Sequence, residues 1–191
     1  MTRNELNRIN TIEAIKDSFI ELYRANGIDK VRIADICKNA QVSKSNFYHY
    51  FDDKYEILEV IETEMLDSVK EINKALNEAV WINYKKGEPF PVFSDTAKYI
   101  WKHRKYFKPL LGPNGDPGFV FRWKKQMKKD IRNKLVIDGR NAYNLDIVTE
   151  LFASGIIGLY TYWLYEDTNI SPEKLSAIAG TILYSDFYHF Q

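Results

Sequence analysis

Between residues 42 and 54 the chain reads Val-Ser-Lys-Ser-Asn-Phe-Tyr-His-Tyr-Phe-Asp-Asp-Lys, and most of its side chains there can hydrogen-bond phosphates or base edges. The Asn46 amide has the donor–acceptor pair that matches adenine, and the Lys44 ammonium can meet guanine or a phosphate. Ser45, Tyr48, His49 and Tyr50 add hydroxyl and imidazole groups, while Phe47 and Phe51 are four apart, as on the buried side of a helix. Tyr50 also suits a core position. Upstream, Ile33, Ile36 and Cys37 fall on one face of another short helix, with Val42 in the turn between the two. This pattern predicts a helix-turn-helix whose second helix enters the DNA major groove. Ser43 is expected to cap that helix.

Helices this short need a clamp. Ile9, Ile12, Ile15, Phe19 and Leu22 recur at three- and four-residue steps, with Glu5, Arg8, Glu13, Lys16, Asp17, Glu21 and Arg24 opposite them. The spacing predicts an amphipathic helix over 5–25, ended at Asn26-Gly27 because glycine tolerates positive φ. The next helix should begin near Val31 or Arg32.

Taken together, the long first helix, the Gly27 loop, Ile33-x-x-Ile36, Ala40-x-Val42-Ser43, Lys44 to Phe51 and Lys54 resemble the TetR-type bacterial transcriptional regulators. The resemblance covers residues 9–60. It departs from the family pattern at Arg32, where a capping threonine is usual, and at Gln41, where the turn usually has glycine. It implies an all-α protein with an N-terminal three-helix DNA-binding domain at 1–52. A long helix at 53–83 would link this to a C-terminal ligand-binding and dimerisation domain at 53–191. It implies phosphate contacts for Tyr48, His49 and Tyr50, with Lys54 doing the same at a helix start, and Arg32 joins the DNA-facing set. It further implies a homodimer that acts as a repressor on a palindromic operator and is released by a small-molecule effector. One short helix reads only a few base pairs, so two copies about 34–36 Å apart would be needed to read a palindrome.

The 191 residues include a single cysteine, Cys37, so no internal disulfide is expected, and its place suits a small core residue. The polar N-terminus lacks a secretory pattern, and the uncharged run Leu151–Tyr165 is short for a bilayer span, so a cytoplasmic protein without a membrane partner is expected. Net charge is +1, but unevenly spread: +2 over 1–50, −5 over 51–100, +9 over 101–134 and −5 over 135–191. A mildly basic reading domain must rely on placed contacts and dimerisation more than on a polycationic surface. His49, His103 and His189 are scattered and no metal-ligand spacing appears, so neither an enzyme, a metal nor a cofactor is expected. The loop Gly112–Gly118 lacks the Lys-Ser/Thr ending of a phosphate cradle and reads as a connector.

Past residue 52 the apolar spacing is helical throughout. Helices are expected at 92–103, 106–111, 117–136 and 141–165, with a last one opened by Ser171-Pro172. The 117–136 helix sets Phe119, Trp123, Met127, Ile131 and Leu135 on one stripe and seven cations around it. Those cations read as a solvated face or, alternatively, as a docking surface for an anionic ligand or for an acidic protein partner that would control the regulator, which could then be an activator. The aromatic-rich C-terminal half suggests an apolar effector site. The family's pocket implies Met65, Tyr99, Phe107, Trp123, Phe152 and Tyr160 as lining. Too many faces of the last two helices are apolar for a lone hairpin, so pairing with a second copy is expected. Phe152, Gly155, Ile156, Leu159, Trp163, Leu175, Ile178 and Ile182 are assigned to that interface.

Overall fold

The structure is a computed structural model, describing residues 2–76, 85, 87–137, 139, 145–166 and 168–187, with side chains at 76 and 182–187 outside that set. Among the described residues every regular element is helical. The chain divides into two compact units: residues 1–65 with 105–116, and residues 66–104 with 117–191. This differs from the division at residue 52 expected from the sequence. The first unit takes the opening turns of the long helix and a twelve-residue segment from much later in the chain.

The first unit is built on α1 (Arg3–Asn26), which opens with a capping box: the Thr2 hydroxyl accepts from the Glu5 amide and Glu5 accepts from the Thr2 amide. Its buried side is Ile15, Phe19, Ile20 and Tyr23, while Ile9 is exposed and Leu22 only half-buried, so the buried stripe is shifted from the one expected. Gly27 ends it at φ 71, ψ 165, positive in φ but extended in ψ. A 3-10 turn, Ile28–Lys30, leads to α2 (Ile33–Asn39) and α3 (Lys44–Tyr48). Ser18 Oγ donates to the Ile36 carbonyl at 3.0 Å, fixing α1 to α2. Phe47, Phe51, Ile57 and Ile61 complete the core.

Helix α4 (Lys54–Asn73) starts where the Asp53 carboxylate accepts from the amides of Tyr55 and Glu56. Lys16 is 3% exposed, yet its ammonium donates to Glu13 at 2.7 Å and Glu64 at 2.5 Å. Burial alone would lower its pKa, but the two carboxylates outweigh it and raise it. Residues 105–110 of α6 (Arg104–Leu110) join the same unit. The buried Tyr106 hydroxyl donates to Asp17 at 2.7 Å, Lys105 donates to the same carboxylate at 2.6 Å, and the Asn114 amide reaches the Arg24 carbonyl. The 112–116 loop is therefore part of the first unit and more than a connector.

The second unit holds the rest of α4 and its 3-10 extension Lys74–Leu76, together with α5 (Pro91–Lys102), α7 (Pro117–Ile137), α8 (Leu145–Tyr165) and α9 (Pro172–Phe187). The expected continuation of α4 to residue 83 falls on 77–84, outside the described residues. Helices α5 and α9 pack together, with Ser176 Oγ donating to the Phe90 carbonyl at 2.9 Å and Lys98 within 3.6 Å of Glu173. Helices α7 and α8 form the other main pair. Their apolar contact centres on Trp123 stacked on Tyr160, ring centroids 5.9 Å apart and nearly parallel. A ladder of charge runs beside it: Lys124 and Lys128 both donate to Glu150, and Arg132 pairs with Asp146. Two cations on one exposed carboxylate pull the Glu150 pKa down to about 2.

Candidate nucleic-acid interface

Local chemistry sets the reading helix. Ser43 is extended (φ −72, ψ 156) and its hydroxyl accepts from the Asn46 amide at 3.1 Å, the cap expected from the sequence. Phe47, fully buried, is the anchor, touching Phe51 at 6.2 Å and meeting the Tyr48 ring edge-on at 5.3 Å. Tyr48 is itself 54% exposed, so a core residue packs against one edge of its ring while much of the side chain stays open to solvent. Lys44, Ser45 and His49 are exposed and Asn46 is half-buried. Tyr50 is half-buried, with its ring edge-on to His49 at 4.8 Å. The regular helix stops at Tyr48, shorter than expected, although the amides of His49 and Phe51 still bond back to Ser45 and Phe47.

The two departures from the family pattern have visible effects. Arg32 opens α2 without a side-chain cap, and its guanidinium turns to Asp35 at 2.8 Å instead. Gln41 adopts φ 55, a left-handed conformation in the turn where glycine would be unstrained. The turn persists because Val42 and Ala40 still bond back to Cys37 and Ile36.

Lys54 departs from its expected place on a phosphate. Its ammonium donates to the carbonyls of Ile28 at 2.7 Å, Val31 at 3.0 Å and Asp29 at 3.1 Å. Nothing in the sequence marks this, since the partners lie 23 to 26 residues away.

The six residues expected to line one effector pocket are not brought together in one unit. Met65 and the fully buried Phe107 belong to the first unit, because α6 beyond Arg104 packs with α1. Tyr99, Trp123, Phe152 and Tyr160 belong to the second, with Trp123 and Tyr160 in contact. Burial pushes the Tyr160 hydroxyl pKa up, so it stays neutral.

The residues assigned to a dimer interface also divide. Trp163 is buried against Trp101 at 4.9 Å and donates its indole N–H to the Ile170 carbonyl, and Ile156 and Leu175 are core. Phe152 and Leu159 are half-buried, and Gly155 and Ile178 are exposed. The side chain of Ile182 lies outside the described residues. An apolar exposed stripe not foreseen runs along α8 through Ile147, Leu151 and Tyr162, 67%, 74% and 58% exposed, with Gly155 and Gly158 between. A Cβ added at either glycine would meet nothing within 4 Å among the described residues. By length and composition α8 could also cross a bilayer, but its first turns carry Asp146 and Glu150, held by α7 cations.

A short anchored helix presenting polar groups, in a unit separate from a second helical one, defines a helix-turn-helix regulator. Comparison with known proteins agrees. Residues 17–61 match the profile described as "Bacterial regulatory proteins, tetR family", and residues 87–185 match "Transcriptional regulator C-terminal region" of the same family. The chain belongs to the tetR family of bacterial regulatory proteins. It is 25% identical over 170 residues to the uncharacterized HTH-type transcriptional regulator YxbF of Bacillus subtilis (strain 168), covering 85% of this chain and 42% of that protein. The chain thus spans less than half the length of that relative. Among solved structures it resembles a TetR-family regulator from Bordetella parapertussis 12822 (TM-score 0.65, 22% identity, 93% of this chain and 95% of that one). It also resembles one from Streptococcus agalactiae 2603V (TM-score 0.63, 19% identity, 95% and 99%).

Proposed function

We propose that the chain acts as a cytoplasmic homodimer that binds a palindromic operator, represses transcription, and is released by a small apolar effector. The observation that carries this reading is the Ser43-capped, Phe47-anchored helix with Lys44, Ser45, Asn46, Tyr48 and His49 on its outer side. Rigid presentation fixes where each group meets the duplex before contact is made. Lys44, Ser45 and Asn46 are assigned to base edges, and Tyr48, His49 and Tyr50 to the backbone. Arg32, exposed at the start of α2, is assigned to a phosphate.

The exposed α8 stripe supports the dimer, because its apolar residues are largely open to solvent and the space above its two glycines is empty among the described residues. The effector site is assigned to the second unit around Trp123 and Tyr160, where stacked aromatic faces suit a flat apolar molecule. The structure gives less support to an acidic protein docked on α7, since Lys124, Lys128 and Arg132 are already paired with α8.

Selection of binding sites from random duplex DNA tests the reading. The expected product is a palindrome with half-sites about 10 base pairs apart, centre to centre, or somewhat wider. Asn46→Ala should flatten the preference at one base position per half-site. A protein that enriches no sequence would overturn the proposal.

A further inference from the structure

The geometry points to Lys54 as a positioning residue for DNA binding that acts through the 28–31 turn and Arg32, and is not itself a phosphate ligand. This rests on the DNA-binding reading above and replaces the role that the family resemblance implies for this lysine. An ammonium has three N–H donors. Here all three are engaged, by the carbonyls of Ile28, Asp29 and Val31 at 2.7, 3.1 and 3.0 Å. These carbonyls converge at the end of the 3-10 turn, where the Val31 amide also donates to the Ile28 carbonyl, in a long bond of 3.3 Å. Gly27, before it, gives no side-chain cap, and Arg32, after it, gives none to α2. Among the described residues, Lys54 is the side chain that ties the carbonyl end of this turn to α4.

The lysine end of this clamp is fixed as well. Asp53 caps the first amides of α4, and the Tyr55 ring lies 5.3 Å from the ammonium. Val31, 3% exposed, is locked by packing on one side and by Lys54 on the other. The next residue, Arg32, leaves in extended conformation (φ −111, ψ 138) and carries its guanidinium into solvent. The direction of that departure is set by the clamp. Turning Lys54 outward to a phosphate would take the ammonium from the Asp29 and Val31 carbonyls, the latter in a part-buried bond, and leave the Ile28 carbonyl with only the long Val31 amide contact.

The test compares Lys54→Arg, Lys54→Met, Arg32→Ala and the Lys54→Met/Arg32→Ala double variant in full-length protein, on the selected operator across a salt series. Arginine keeps the charge, but its planar fork cannot meet three converging carbonyls. Lys54→Arg is therefore expected to lose tenfold or more in affinity while remaining folded by circular dichroism. Lys54→Met and Arg32→Ala should each lower the salt slope by about 0.9 per protomer. The double variant should lower it no further, a coupling that general loss of stability would not produce. Wild-type affinity for Lys54→Arg, or additive slopes in the double variant, would make Lys54 a direct phosphate ligand and overturn the inference. Amide hydrogen exchange of the free protein is a second readout. Residues 28–33 should exchange faster in both Lys54 variants, and unchanged exchange refutes the clamp. If the wild type binds no DNA, the functional proposal fails while the exchange measurement still decides on the clamp.

Discussion

Two single positions show where the backbone is strained and where it is full. Gln41 sits at φ 55, where an L side chain costs about 1–2 kcal/mol and glycine does not. Allowing for glycine's larger unfolded-state entropy, Gln41→Gly should stabilise the protein by about 0.5–1 kcal/mol. Gln41→Val should destabilise it by about 1 kcal/mol or more, since β-branched residues tolerate this region worst. Urea midpoints at constant m-value measure both, and equal midpoints for the three proteins would remove the strain assignment. At Gly115 the limit is space. An added Cβ would lie 2.2 Å from the Leu110 carbonyl oxygen and 2.9 Å from that of Gly112, both backbone atoms that cannot rotate away. Gly115→Ala should therefore cost about 1–3 kcal/mol, readable as a lowered melting temperature. The unusual residue at 41 was visible in the sequence as a departure from a glycine. Gly115 was not, because its crowding comes from how the 110–115 loop folds on itself. The cap at Ser43 and the anchor at Phe47 were legible because both follow from spacing within one turn of helix. The Lys54 contacts were not, because they cross from one element to another.

At the level of elements, helix positions were legible to within a few residues, but what each helix packs against was not. Periodicity reports that a face is buried and is silent on its partner. That is why residues 105–110 could be read as a short helix, yet their attachment to α1 through Tyr106, Asp17 and Lys105 could not. The seven cations of α7 resolve in the same way. Lys124, Lys128 and Arg132 face Asp146 and Glu150 of α8, so part of the apparent docking surface is internal pairing. Asp130, also on α7, is the exception. One of its carboxylate oxygens accepts from Gln126, while the other is buried without a hydrogen bond. Burial raises its pKa, against the opposing pull of Gln126, Lys129 and Lys70. A carboxyl whose folded pKa lies above its unfolded value of about 3.9 binds more protons when folded, so its contribution falls as pH rises through that interval. Asp130→Asn removes the charge and should be more stable than wild type near pH 7, with the difference vanishing below pH 4. Thermal melts at a series of pH values check this. A variant less stable at neutral pH would mean that Asp130 is held as a needed charge.

For the whole molecule, the homodimer proposed above turns on how two copies would meet, since a single reading helix cannot select one site from a genome. The sequence assigns the contact to α8 and α9, and the α8 residues it names fall on two different faces. A helix that is apolar all round cannot reveal which side its own chain covers. In the structure Ile156 and Trp163 face inward, whereas Ile147, Leu151, Gly155, Gly158 and Tyr162 form the open stripe. The two faces make opposite predictions. Leu151 is 74% exposed, so Leu151→Glu should leave the single chain's stability within about 0.5 kcal/mol. In a dimer the same change would bury an unpaired charge, so sedimentation should show monomers at micromolar concentration. Operator affinity should then drop by about 10²–10⁴, because binding by two linked reading helices gains that factor over one. Ile156→Ala is the control. Ile156 is 6% exposed, and its truncation should cost about 2–5 kcal/mol of folding stability while the folded protein still dimerises. If Leu151→Glu remains dimeric and binds its operator as tightly as before, the open α8 stripe is not where the two copies meet.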